Sequence, residues 1–530
     1  MKYIILLITI LNSQVPRQFS FDNNSLYRYE SISEENISDN SIIDIRKIDD
    51  EYILLSTGKG LSYVKKINNF STDSVIFGQF NRNLVSLPKG GIPALITNEN
   101  IIAISGLVDT IVASLEERKG TGISYSLDYG ETWEYLQQPI DDIPEEGRYH
   151  LIEWANQDSI TALAVTTAIN NISYDLAISN NYIYAASWAG GLRRYGPLND
   201  EAKFWEIIPL PMDNDSSLLC NEINKENYEL NPNDPINGGN HNHKGFSVYA
   251  IEDTIWMGSA NGINKGVLND DCIDWTYHIK SQWNNISGNW VIGFAHQNFE
   301  NQITRLWAIT WVSDGGNESH GLSYTDDGGK TWYNTQPSGK SEKVYNIYSN
   351  SNYIWATLES GLYISNNGKY WEKYSRIIDN VSGEEFFSQT SLSFYQDAEE
   401  WFWLGTTDGI AISDNDGLDW TIHRYWEKTY LSDEKNILSV YPNPFLINTD
   451  IKVRFVYYYN KMLSSKLDIF DFAMDHVRNL NNINIVNTLG ETEIIWDGLD
   501  EYGNPVANGI YFCRLSIDGT YFWTKLSVIN

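Results

Sequence analysis

Residues 353–365 read Tyr-Ile-Trp-Ala-Thr-Leu-Glu-Ser-Gly-Leu-Tyr-Ile-Ser. Ile354, Ala356 and Leu358 alternate with Trp355 and Thr357, the period of two expected of a strand. Glu359, Ser360 and Gly361 follow, small or polar residues with a glycine able to take positive φ, so the chain turns and Leu362 opens a second strand. The phrase recurs as YILLSTGKGLSYV from Tyr52, YIYAASWAGGLRRY from Tyr182, TIWMGSANGINKG from Thr254 and FWLGTTDGIAIS from Phe402. Two copies carry longer hairpins, Ile101 to Ser126 and Arg305 to Thr325. Gly followed by Leu or Ile thus begins at Gly60, Gly122, Gly191, Gly262, Gly321, Gly361 and Gly409, and the shortest spacing, 40 residues, still accommodates four strands. One such sheet cannot cover both of its faces. Repeated units of this length bury them by packing face to face around an axis, which predicts a β-propeller of seven blades.

The chain has 530 residues with 69 acidic against 37 basic side chains, a net charge of -32. That balance excludes nucleic acid and an anionic membrane surface as partners. Lys2 followed by the apolar run Tyr3–Leu11 reads as a signal peptide over residues 1–15, and no later stretch is long and apolar enough for a membrane helix. Cys220, Cys272 and Cys513 form no CxxC pair and no disulfide framework, so core size is expected to hold the fold; a Cys220–Cys272 bridge stays open. No metal and no cofactor are expected, and the chain is expected to be a monomer.

A second signal follows several copies of the phrase. Ser126, Asp128, Gly130 and Trp133 stand in S-x-D-x-G-x-T-W; Thr325, Asp327, Gly329 and Trp332 repeat it, as do Ser413, Asn415, Gly417 and Trp420; Asn366, Gly368 and Trp371 are a worn fourth copy. These residues resemble the Asp-box (BNR-like) repeat of sialidases, sortilin-type receptors, xyloglucanases and photosystem-assembly propellers. The resemblance implies a structural turn at the outer rim, in which hydroxyl and carboxylate bond nearby backbone N–H groups. Residues 20–427 are assigned to the propeller on this ground, with Leu26–Glu30 expected to close the ring beside Trp420–Tyr425.

Beyond Trp426 the phrase stops. Val440-Tyr-Pro-Asn-Pro-Phe445 opens a run of alternating strands, and residues 436–530 read as a small antiparallel immunoglobulin-like β-sandwich carrying a net charge of -3. Trp496-Asp-Gly498, Gly503, Ala507 and Asn508-Gly-Ile-Tyr511 resemble the immunoglobulin-like domain of flagellar hook-capping proteins and the C-terminal sorting domain of type IX secretion cargo. That likeness implies secretion machinery as a partner and a secreted or outer-surface location. The terminal strand holds Lys525 alone instead of a basic cluster.

For function, sialidases need an arginine triad and an early Arg-Ile-Pro; Arg is scarce in the repeats, and the nearest string, Gly91-Ile-Pro93, lacks the Arg, so sialidase activity is not expected. Trp188 and Trp311, in inner hairpin loops, are candidates for stacking on sugar. The long segment Asp213–Lys244 carries His241 and His243, which on an extended chain face one side and suit a metal or sugar contact. Asp109, Glu153 and Asp314 are the carboxylates a polysaccharide hydrolase resembling the xyloglucanases would call on. Recognition of an extracellular glycan or protein is the expected role. Glycoside hydrolysis at the propeller centre and a sensor propeller like those of two-component regulators are the alternatives.

Overall fold

The computed structural model describes residues 37–529 except 50, 68–74, 81–85, 113–114, 142–147, 156, 167–168, 170, 222–226, 270–271, 285, 300–303, 314–315, 375, 380–384, 387, 425–437, 442, 448–451, 459–464, 482–490 and 518. The signal-peptide segment, the Leu26–Glu30 strand and Asp314 therefore lie outside the described residues. Those described are almost wholly β and fall into two compact units, residues 1–375 with 390–425, and residues 376–389 with 426–530.

The first unit contains seven four-stranded antiparallel sheets, each running through its strands in chain order. Their first strands are Ile42–Lys47, Gly91–Asn98, Ser173–Ser179, Gly245–Ile251, Trp290–Asn298, Val344–Ser349 and Ser391–Gln396, and the sheets are numbered one to seven accordingly. Each Gly-Leu/Ile pair lies on the third strand of its sheet. Gly262 shows why a glycine stands there: its φ is +112°, and a Cβ would come within 2.1 Å of the Ile279 carbonyl oxygen. The second strands are buried on both faces, as Phe402–Thr406 is throughout. A strand with one wet face would show an apolar stripe only; these are sandwiched between neighbouring sheets.

Side chains from consecutive sheets share cores. Leu54, Leu61, Ile92 and Ile102 join the first sheet to the second, Ala103, Tyr125, Leu176 and Ile183 the second to the third, and Trp256, Val291 and Leu306 the fourth to the fifth. The sixth and seventh meet through aromatics, with Trp355 and Phe394 stacked at 5.1 Å. The seventh in turn packs on the first: Trp401, Trp403, Ile410 and Ile412 share a core with Ile42, Ile45, Ile53 and Leu55. The Gly409 amide donates to the Asn40 carbonyl at 2.7 Å, and the buried Lys66 ammonium bonds Asp397 at 2.8 Å and Glu399 at 2.6 Å. First strands thus neighbour one another in a cycle. Trp256, Trp307, Trp355 and Trp403 occupy one position of successive second strands, all buried, and truncating any to Ala would cost about 3–5 kcal/mol.

Two insertions depart from the repeat. Tyr149–Trp154, Gln157–Leu163 and Glu229–Leu230 form a three-stranded sheet. The segment from residue 209 to 244 is bolted down by a Cys220–Cys272 disulfide, whose 52-residue separation corresponds to about 4 kcal/mol of loop-closure entropy. Core size is therefore not the sole support of this region. Leu218, Tyr228 and Leu230 sink into a core with Trp154 and Trp275, so the long segment is packed instead of lying in solvent.

The second unit has two sheets, Leu438–Tyr441, Val453–Tyr458 and Glu491–Trp496 in one, and Phe445–Leu446, Thr520–Ile529, Gly509–Ile517, Ser465–Phe470 and His476–Asn481 in the other. Phe445, Phe455, Leu467, Trp496, Cys513 and Leu526 form the core. The residues that suggested the family likeness are packing devices here. Trp496 Nε1 donates to the Leu499 carbonyl at 2.8 Å, Tyr511 Oη to the Ala507 carbonyl at 2.7 Å, and a Cβ on Gly498 would meet the Phe445 ring at 2.7 Å. Residues 376–389 fall within the propeller boundaries expected from the repeats but pack with this unit. There Glu385 receives Lys452 at 3.0 Å and its carbonyl accepts from Arg454.

Candidate functional site

Every first strand of the seven sheets breaks register near its start, at Ile42/Asp44, Gly91/Ala94, Ser173/Asp175, Gly245/Ser247, Val291/Gly293, Val344/Asn346 and Ser391/Ser393. A bulge re-aims the side chains that follow it. Where those residues are Ser they join neighbouring sheets: Ser247 Oγ donates to the Val291 carbonyl at 2.8 Å and Ser393 Oγ to the Ile42 carbonyl at 3.0 Å. Asp44, Asp175 and Asn346 break this pattern.

Asp44 accepts from the Ile45 amide at 2.9 Å, from Arg46 Nε at 2.9 Å and from Asn346 Nδ2 at 3.4 Å. Asn346 lies on the sixth sheet, so this contact reaches past the seventh. Asp175 of the third sheet accepts from its own neighbour Leu176 at 2.9 Å and from Val248 of the fourth at 3.0 Å. The Arg46 guanidinium feels Asp44 first and also Asp175 and Tyr249, while the Tyr249 hydroxyl meets His296 Nδ1. Tyr348 and Tyr395 lie within the same field. Side chains from six of the seven first strands therefore converge on the axis that the strands encircle. The second sheet contributes nearby instead: Arg118 on its long hairpin faces Tyr174 and lies 3.7 Å from Asp109.

The electrostatics follow from enclosure. Arg46 keeps 42 % of its side-chain surface and Asp44 16 %, so the groups border open space while protein surrounds them. Burial lifts Asp44 above the usual carboxylate range, and Arg46 pulls it partly back. It lifts Asp175 to about 7, against the backbone hydrogen bonds and Arg46, with Asp44 pushing the same way as burial. Burial also lowers His296, favouring the neutral imidazole. The set offers one fixed cation, two carboxyls of different proton affinity, an amide and phenols, the equipment of a site for a polar ligand. Among the described residues no group of three or more His, Cys, Asp or Glu is placed to hold a metal ion.

The residues singled out from sequence do not assemble into this site. Trp311 is buried, its Nε1 donating to the Val344 carbonyl at 2.9 Å, and it cements the fifth sheet to the sixth. Trp188 is partly buried and stacked on Phe246 at 5.2 Å, with the Lys244 ammonium 5.0 Å from the centre of its ring. His241 and His243 lie on a single 3₁₀ turn, not an extended chain, and so do not face one side. His243 is buried, accepting from the Asn231 amide at Nδ1 (2.9 Å) and bonding the Leu210 carbonyl through Nε2 (3.1 Å); burial pushes it down to about 4. It is a neutral strut for the insertion. His241 stands 3.9 Å from Asp234. Asp109 is on the hairpin with Arg118, and Glu153 is exposed on the edge strand Tyr149–Trp154.

The S-x-D-x-G turns connect third and fourth strands. Asp327 accepts from the Thr325 hydroxyl, the Lys330 and Thr331 amides and the Thr331 hydroxyl at 2.6–3.0 Å. The Gly329 amide donates to Thr325 Oγ1 at 2.9 Å, and Trp332 Nε1 to the Gly329 carbonyl at 3.1 Å. Ser126, Asp128, Gly130 and Trp133 repeat these bonds except the one from the Lys330 position; Ser413, Asn415, Gly417 and Trp420 keep the hydroxyl, glycine-amide and indole bonds, while Asn415 Nδ2 donates to Asp419 where the other copies accept from a threonine hydroxyl. In the worn copy Asn367, not Asn366, takes the carboxylate's place, accepting from Lys369 and Tyr370 amides at 2.8 and 3.0 Å. Each Trp turns back toward the preceding sheet. Trp332 meets Trp256 edge-on at 6.2 Å, Trp371 meets Trp307 at 6.3 Å, and Trp133 meets Phe80 at 5.8 Å.

No family model and no curated protein matches the chain. The solved structures it is similar to include β-propeller proteins. One is PorZ, a surface component of the type-IX secretion system of Porphyromonas gingivalis, at 13% identity over 92% of this chain and 81% of that one, with a TM-score of 0.28. Another is the extracellular domain of BT4673 from B. thetaiotaomicron, described as a hybrid two component system, at 10% identity over 93% and 82% of the two chains, with a TM-score of 0.26. A third is the WD40 β-propeller domain of Doa1, at 10% identity over 72% and 95%, with a TM-score of 0.38. Among the described residues no helix is long and apolar enough to cross a membrane.

Proposed function

We propose that the seven four-stranded sheets are the blades of one closed propeller, that their rim turns are Asp-boxes, and that the propeller binds an extracellular ligand, glycan or protein, at its axis. The second unit is read as an immunoglobulin-like domain for export or surface attachment. The observation that carries the binding reading is the convergence of Asp44, Arg46, Asp175, Tyr249, His296 and Asn346 from separate sheets upon one axis. A scaffold gains little from gathering charges there, whereas a ligand bearing hydroxyls or charge gains several bonding partners. The Cys220–Cys272 bridge supports an oxidising, extracytoplasmic setting.

Glycan-array and peptide-array binding by the full chain tests this. Arg46→Ala is expected to weaken the signal while Asp327→Ala leaves it intact; equal binding by wild type and Arg46→Ala removes the axial reading. A specific observation keeps hydrolysis as the second reading. Asp175, with its proton affinity raised chiefly by burial and further by Asp44, would be the acid of a carboxyl pair, in place of Asp109, Glu153 and Asp314. Release of reducing ends from polysaccharide, lost in Asp175→Asn, would establish it.

A further inference from the structure

The second unit carries an exposed aromatic surface that neither its core nor its fold requires. On the five-stranded sheet, residues facing away from the core form a grid fixed by strand register. His476, Phe470, Phe512 and Lys525 lie side by side in one row. Asn479, Asp468, Arg514 and Trp523 form the next, and Lys466, Ser516 and Tyr521 the third. The opposite face, with Leu467, Ile469, Cys513, Leu515 and Leu526, fills the core. Strand spacing and pleat make the grid about 14 Å in each direction.

The aromatic members are held rigid and open. The Arg514 guanidinium lies 5.1 Å from the Phe470 ring, 5.2 Å from Tyr521 and 5.7 Å from Trp523, so three rings share one cation beneath them. Asp468 fixes that cation at 2.8 Å and also takes Asn479 at 2.6 Å, Lys466 at 3.1 Å and His476 at 3.3 Å. Tyr521 and Trp523 nonetheless remain 58% and 50% exposed, and Phe472 beside them 78%. Preorganised yet uncovered rings of this kind mark an interaction surface.

We propose that this face is a polysaccharide-binding platform, with sugar rings stacked on Tyr521 and Trp523 and their hydroxyls met by Lys525, Lys466 and Asn479. Interleaving selects that occupant. Each ring has a hydrogen-bonding or charged neighbour within the grid, matching a ligand whose faces are apolar and whose rims are hydroxylated. An apolar protein or lipid surface would instead strip water from the exposed Lys466 and Lys525 and return no bonds. The platform lies wholly in the second unit and does not depend on the propeller axis.

Affinity electrophoresis of the full chain through gels containing xyloglucan, mixed-linkage β-glucan or polygalacturonate tests the proposal. Wild type should be retarded by at least one of them. Tyr521→Ala combined with Trp523→Ala should weaken binding at least tenfold at unchanged thermal midpoint, and Trp523→Phe should keep most of it. Tyr370→Ala, at an exposed ring of the first unit, should run as wild type. Three results overturn it: no retardation in any gel, undiminished retardation of the double variant, or retardation lost only in Arg46→Ala. A concentration-dependent dimer that sedimentation finds in wild type but not in the double variant, without a gel effect, would reassign the face to self-association and equally reject the platform.

Discussion

The rim turns and the axis are both rich in carboxylates, and they use them in opposite ways. At the rim, Asp327 and Asp128 are satisfied by bonds within their own turn; burial is the largest single effect on Asp327 and raises it, yet its hydrogen bonds together draw it down to about 2, and Asp128 is likewise drawn below the usual carboxylate range. The hydroxyl, glycine-amide and indole bonds recur in several sheets. On the axis, Asp44 and Asp175 come from equivalent bulges, yet each answers to different partners on other sheets, and burial lifts both. What repeats serves the fold, because every sheet has the same need. What occurs once, against the symmetry, answers to something outside the fold.

The comparison breaks first at Gly368, where the largest effect is expected. Its φ is +75°, and a Cβ would stand 2.2 Å from the Trp307 ring of the preceding sheet. Gly368→Ala combines left-handed strain with overpacking and should cost about 3 kcal/mol, read as a lowered urea midpoint. Asp327→Ala removes an acceptor of four hydrogen bonds at a turn and should cost about 1–2 kcal/mol, leaving ligand binding unchanged. If either change abolished binding instead of stability, rim and axis would not be separate in function.

The repeat phrase made the sheets legible because glycine at a required positive φ and alternation along a strand are local properties. The S-x-D-x-G turns were legible for the same reason, as turns whose hydroxyl and carboxylate bond nearby backbone N–H groups; the indole bond to the glycine carbonyl was not. The axis was not. Asp44, Arg46 and Asp175 lie outside the quoted phrases, on first strands whose sequences diverge, and only ring geometry brings residue 44 against residue 346. Trp311 and His243 misled because exposure depends on the neighbouring sheet and on the insertion, neither of which a loop position reveals. The cysteine bridge joins an insertion to the fourth strand of a sheet, a pairing that spacing alone leaves open.

Titration sharpens the contrast. Asp175 has a folded pKa near 7, raised chiefly by burial above an unfolded value of about 3.9. Its protonated carboxyl therefore contributes stability in full below about pH 3.9, and that contribution is lost as pH rises to about 7. Asp175→Asn cannot titrate and offers one acceptor fewer to the Leu176 and Val248 amides. The variant should trail wild type by about 1 kcal/mol at pH 5, and the gap should close and then reverse in sign by pH 8. Urea midpoints across that range decide it: a gap that stays constant would mean the axial carboxyl is as settled as Asp327.

The smallest change in stability is expected at Tyr249. Its hydroxyl meets His296 Nδ1 across two sheets, and both side chains are only partly covered. Tyr249→Phe keeps the ring and its packing, and water can take the vacated position, so unfolding should shift by less than about 1 kcal/mol. If the axis is organised for a ligand, the same substitution should weaken binding roughly tenfold, about 1.4 kcal/mol, by removing a donor without altering the frame that presents it. The two measurements must separate. Should Tyr249→Phe lose as much stability as Asp327→Ala while binding stays level, the axial network would be one more internal fastening, and its departure from the sevenfold pattern would need an explanation in folding.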